Sequence, residues 1–126
     1  MKRFVVLLAV VVVGLMIVAC DSKSVVMDEP VPAGAEGAQV VELLFTPTDI
    51  QPDRVTIKAG QKVLFVIKNT DTKESHNLVS ADLLIKEILV SPGQTVRRLW
   101  MPPAKPGEYA AGCTMHPDIR MKFTLQ

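Results

Sequence analysis

Histidine and cysteine are scarce in this chain, two of each in 126 residues, and the scarcity excludes several chemistries. Finger-type structural zinc sites need a pair of thiolates at short spacing. Here Cys20 and Cys113 stand at opposite ends of the chain. Charge of one sign is also lacking: 14 basic against 13 acidic residues give a formal net charge of +1. That balance does not make nucleic acid an obvious partner. No internal repeat is visible. The one long apolar run, residues 4–18, is shorter than the roughly twenty residues that span a bilayer comfortably.

What is present begins with a basic head, Met1-Lys2-Arg3, in front of that run. Together they read as a signal peptide over residues 1–19. The run ends Ile17-Val18-Ala19-Cys20, followed by Asp21, which resembles the bacterial lipobox, in which the cysteine is acylated and becomes the new N-terminus. An uncleaved signal anchor is the alternative. Either reading puts the rest of the chain on the outer, periplasmic or extracellular, face of the cytoplasmic membrane. Removing residues 1–19 takes Lys2 and Arg3 with it and leaves 12 basic against 13 acidic residues, a net charge of −1. With Cys20 lipidated, Cys113 is the only thiol. A lone thiol in an oxidising compartment is a hazard, and holding it as a metal thiolate removes the hazard.

Residues 20–38 are rich in Ser, Pro, Gly, Ala and acidic side chains, with Pro30, Pro32, Gly34 and Gly37 and no apolar period. They read as a flexible tether, with an edge strand near Val25 and Met27 as the weaker alternative. Residues 39–126 read as one domain of strands. Val40-Val41-Glu42-Leu43-Leu44-Phe45 is β-branched and apolar, Val55-Thr56-Ile57-Lys58 alternates, and Val63, Phe65 and Ile67 share one face of the next strand. Lys86 to Val90, Thr95 to Met101, Gly107 to Cys113 and Lys122 to Gln126 complete the set. A bulge is expected at Arg97-Arg98 and a short helix or loop near Ala81 to Ile85. Many short strands divided by Pro and Gly turns predict an all-β fold, a two-sheet Greek-key sandwich.

The last strands enclose Gly112-Cys113-Thr114-Met115-His116-Pro117-Asp118-Ile119-Arg120-Met121. Taken singly, a buried Cys is usually a small inert hydrophobe, a His ordinary surface or core, and a Met near a C-terminus packing. The spacing C-x2-H-x4-M, with the only other histidine in Ser75-His76-Asn77, is harder to obtain by chance. One thiolate, a pair of imidazoles and a thioether suit a trigonal copper site with a weak axial sulfur. The candidate ligands are His76, Cys113, His116 and Met121. Two rivals are present: Met115 as another thioether, and Glu74, a carboxylate two residues before His76.

These residues resemble the cupredoxins, and within them the plastocyanin-type small blue copper proteins. The resemblance is carried by Ile57-Lys58-Ala59-Gly60-Gln61-Lys62-Val63, by Ser75-His76-Asn77-Leu78-Val79, and by Pro106-Gly107-Glu108-Tyr109 running to Cys113, His116 and Met121. It implies one type 1 copper bound by His76, Cys113, His116 and Met121, and an Asn77 side chain bonded to the Thr114 backbone to brace the loop. It also implies that Glu74 could enter the site, as a Glu does in the red copper protein nitrosocyanin. The loop departs from better-known members in carrying Asp118 and Arg120, and no acidic partner-guiding patch is evident.

The function expected is that of a membrane-tethered monomer carrying single electrons between redox protein partners, with the imidazole edge of His116 as the exit. An apolar rim of Met115, Pro117, Pro102 and Pro103 is expected around it. The alternative is a copper-delivery module without redox turnover. An enzyme is disfavoured, since four filled positions leave no vacant one for a substrate.

Overall fold

The computed structural model describes residues 24–126; the signal peptide and Cys20 lie outside them. Nine strands are formed: β1 (Gln39–Phe45), β2 (Ile50–Gln51), β3 (Arg54–Ile57), β4 (Val63–Asn69), β5 (His76–Ser80), β6 (Ile85–Val90), β7 (Thr95–Trp100), β8 (Gly107–Gly112) and β9 (Arg120–Leu125). They make two sheets, of order β2-β1-β4-β7 and β3-β9-β8-β5-β6. The fold is the all-β sandwich expected. Parallel pairing of β1 with β4 and of β3 with β9 makes both sheets mixed.

Alternation decides which side chains fill the space between the sheets. Val41, Leu43 and Phe45 of β1, Val63, Phe65 and Ile67 of β4, and Met121, Phe123 and Leu125 of β9 are all buried, as period-two strands with one inward face require. Phe65 lies between Trp100 (ring centroids 5.3 Å) and Phe123 (6.0 Å). The fully buried rings of Phe65 and Phe123 each contribute about 1.5–3 kcal/mol of transfer free energy.

One expectation changes. The bulge falls in β5 between Leu78 and Ser80, whereas Arg97 and Arg98 sit in an unbroken ladder with β4. Charged residues are tolerated there because β7 is the last strand of its sheet. Residues 81–84 form a turn, with Leu84 at φ 55°.

The described part of the expected tether is laid along that edge. Asp28 pairs in parallel with Thr95, the Thr95 amide donates to the Met27 carbonyl at 2.8 Å, and the Glu29 amide donates to the Thr95 carbonyl at 3.0 Å. Arg97 pairs with Asp28 and Arg98 with Glu29. The Arg98 guanidinium, outweighing partial burial, holds the Glu29 carboxyl below its usual range. The segment supplies backbone partners that an open sheet edge otherwise lacks. Its exposed ion pairs add little, about 0–1 kcal/mol each.

At Gly112, the last residue of β8, a Cβ would lie 2.7 Å from the Ile119 carbonyl oxygen. Backbone approaches that closely because no side chain intervenes. Gly112→Ala should cost about 1–3 kcal/mol by overpacking and lower the Tm by at least roughly 4 °C. Thermal unfolding of the metal-free protein followed by circular dichroism measures this; an unchanged Tm would mean that the 113–119 loop moves aside freely.

Candidate metal centre

His76 opens β5 with its ring fully buried. It stacks on Phe45 of the facing sheet, centroids 5.1 Å apart and planes within 8°. Its Nδ1 lies 3.9 Å from Cys113 Sγ, and its Nε2 lies 3.1 Å from the Asp71 carboxylate. A neutral imidazole carries one proton, so a carboxylate at Nε2 leaves Nδ1 as the free lone pair.

Cys113 follows β8 directly, and its position is fixed from several sides. The Cys113 amide donates to the Ile119 carbonyl at 3.0 Å and the Ile119 amide to the His116 carbonyl at 2.9 Å, closing the loop on itself. Asn77 ties that loop to β5: its Oδ1 accepts from the Thr114 amide at 2.8 Å, and its Nδ2 donates to Thr114 Oγ1 at 2.7 Å and to Glu87 at 2.8 Å. The Asn77 amide also points at Cys113 Sγ, 3.5 Å away. Burial pushes the Cys113 thiol up, but the Asn77 amide, the imidazoles of His116 and His76 and the Met115 amide outweigh it and bring it down to about 7. These contacts make the thiolate, the form that binds metals, easier to reach.

His116 reaches the same point from within the loop. Its Nδ1 is 3.6 Å from Cys113 Sγ, and its ring centroid is 4.5 Å from that of His76. The ring is partly exposed, and its Nε2 meets Glu74 at 2.5 Å. Cys113 first and Glu74 second raise the His116 pKa. Glu74 thus contacts the nitrogen that does not face the sulfur.

One ligand atom each from His76, Cys113 and His116 fall within 4.8 Å of one another. Met121 lies buried on β9, paired with Ala111 two residues before Cys113, whereas Met115 is half exposed. The sequence reading missed Asp71, which contacts the buried histidine, and Phe45, which stacks on it. The signal for Asp71 was faint: a carboxylate five residues before His76 in a polar loop. The expected apolar rim is also corrected. Pro47, Met115 and Pro117 line a shallow hollow with His116, while Pro102 is buried and the Pro103 carbonyl accepts from the Gly60 amide at 3.1 Å, at the far end of β8 from Cys113.

A thiolate and two imidazoles, clustered and largely screened from water, fit one type 1 copper ion; among the described residues no second cysteine stands beside them to make a finger-type zinc site. Solved structures share the architecture. Auracyanin A, a "blue" copper protein from Chloroflexus aurantiacus, aligns at TM-score 0.60 and 18% identity over 71% of this chain and 100% of that one. Reduced auracyanin from Roseiflexus castenholzii aligns at 0.59 and 19% over 71% and 99%. The metal-binding domain of the Streptococcus pneumoniae Cu(I)-exporting P-type ATPase, solved with Cu(I), aligns at 0.59 and 11% over 79% and 94%. No curated protein sequence matches the chain. The two-sheet fold, the His-Cys-His cluster and a match to the cupredoxin-like domain over residues 7–125 converge on one conclusion: the chain belongs to the cupredoxin-like family.

Proposed function

We propose that the protein carries single electrons between redox proteins on the outer side of the cytoplasmic membrane, tethered there through a lipid on Cys20. The observation that carries this reading is the convergence of His76 Nδ1, Cys113 Sγ and His116 Nδ1 in one braced pocket. With Met121 these residues would hold one copper, which supplies a one-electron couple when bound. The remaining design is the chain's own. The Asn77 backbone amide donates to Cys113 Sγ, the Thr114 amide donates to Asn77 Oδ1 and the Cys113 amide donates to the Ile119 carbonyl, which fixes Cys113 before any metal arrives, so its environment need not reorganise between charge states. Phe45 and the buried β-sandwich keep water from His76. His116 alone among the clustered residues is partly exposed, beside Pro47, Met115 and Pro117, and its ring edge is the natural exit to a partner. The domain boundaries proposed are residues 1–19 for the signal peptide, 20–38 for the linker and 39–126 for the copper domain, in a monomer with no nucleic-acid partner and no enzymatic turnover.

The oxidised, copper-loaded protein should be intensely blue, because charge transfer from a thiolate to Cu(II) is strong in a trigonal site. Cys113→Ser should abolish the colour. Met121→Leu should keep the colour and raise the reduction potential, since losing a weak axial donor disfavours Cu(II), while Met115→Leu should change neither. Visible spectra and voltammetry read these outcomes; a colourless wild type overturns the site, and the reverse methionine pattern makes Met115 the axial donor. Rapid loss of copper to a competing chelator, without redox cycling, would favour copper delivery.

Cys20→Ala should block lipid attachment and the linked processing of residues 1–19. Mass spectrometry of the membrane fraction tests this: the wild type should be cut and acylated at Cys20, and an uncut, unmodified wild type would support the signal anchor.

A further inference from the structure

The two histidines share a feature beyond their convergence on the Cys113 sulfur. Each has Nδ1 toward Cys113 Sγ and Nε2 against a carboxylate, and both carboxylates come from one short loop between β4 and β5. We propose that Asp71 and Glu74 are positioning residues that hold the imidazoles of His76 and His116 in the Nε2-protonated tautomer, with the Nδ1 lone pairs turned toward Cys113.

Asp71 is built for this. Its Oδ1 is occupied by the Lys73 amide at 2.9 Å and the Glu74 amide at 3.2 Å, which leaves Oδ2 for His76. The Asp71 amide in turn donates to Asn69 Oδ1 at 2.9 Å. Asn69, fully buried, donates through Nδ2 to the carbonyls of Glu74 at 2.9 Å and Val90 at 3.1 Å. Thr70 anchors the same loop through its amide and its hydroxyl, both donating to the Phe45 carbonyl at 2.9 Å, and Phe45 is the residue stacked on His76. The carboxylate oxygen that meets the ring is therefore aimed by a closed set of hydrogen bonds. Desolvated, charge-assisted contacts of this kind are the stronger ones.

Glu74 has the same relation to His116 but a different setting. Its side chain is 62% exposed, so water competes for its carboxylate and its hold is the weaker of the two. This difference sets the expected order of effects. Outer carboxylates on metal-binding histidines typically govern 10–100-fold in metal affinity.

The tautomers are read in the metal-free protein by long-range proton–nitrogen NMR of the imidazole rings, at a pH where the rings are neutral. This readout stands apart from the copper reading, on which only the affinity measurement below rests. The wild type should show both rings protonated at Nε2. Asp71→Asn retains the cap acceptor and so the loop, but lets an amide NH2 face the ring; His76 should become a mixture of tautomers with His116 unchanged. Glu74→Gln should affect His116 alone. Copper affinity should then fall about tenfold or more for Asp71→Asn and by less for Glu74→Gln. Wild-type rings protonated at Nδ1, or an Asp71→Asn spectrum identical to wild type with undiminished affinity, would overturn the proposal. If the tautomers behave as expected but wild type binds no copper, positioning stands and the metal assignment fails.

Discussion

The side chain of Asn77 joins the two halves of the site, and the rest of the centre depends on that junction. β5 and β8 meet at only one registered pair, Val79 with Gly112. Beyond it no backbone pair ties the Cys113 loop to β5. Asn77 replaces the missing ladder with its amide group, accepting from the Thr114 backbone and donating to its hydroxyl, while its own N–H reaches the sulfur. One residue therefore sets both where the loop lies and how the thiol is polarised.

Around that junction the site is a balance between burial and polar contact. Burial alone would keep Cys113 protonated and inert. Hydrogen bonds to the sulfur reverse the effect, and the same residues that supply them supply the neighbouring donors. The 69–74 loop extends the arrangement outward: Asn69 fixes Asp71, Asp71 faces His76, and the amides of Lys73 and Glu74 hold the Asp71 carboxyl below the usual carboxylate range against the opposing effect of burial. No buried side-chain polar atom among the described residues lacks a partner. Such a closed network resists rearrangement.

The strands were legible in the sequence because alternation is a local signal, and their inward faces follow from it at Val63, Phe65 and Ile67 or at Met121, Phe123 and Leu125. The clustering of Cys113 and His116 was legible for the same reason: both stand in one loop. His76 stood out chiefly because no other histidine was available. What was not legible depends on tertiary neighbours. Arg97 and Arg98 suggested a bulge, but only the sheet order reveals an edge strand with Asp28 and Glu29 laid beside it. Composition marked residues 20–38 as tether, whereas the hydrogen bonds of Val26, Met27 and Glu29 to Gln94 and Thr95 come from backbone and side chains that no local pattern announces. Pro102 and Pro103 were placed by composition and belong to the opposite end of β8. Asp71 became visible as a histidine partner only once the 69–74 turn was seen to aim its carboxylate.

The central claim is that His76, Cys113 and His116 bind one copper through one sulfur and two nitrogens. Copper K-edge X-ray absorption of the oxidised, copper-loaded protein tests it most directly. The nearest shell should be one short copper–sulfur contact and two imidazole nitrogens, with the sulfur contribution lost in Cys113→Ser. A wild-type shell of nitrogen and oxygen alone would contradict it.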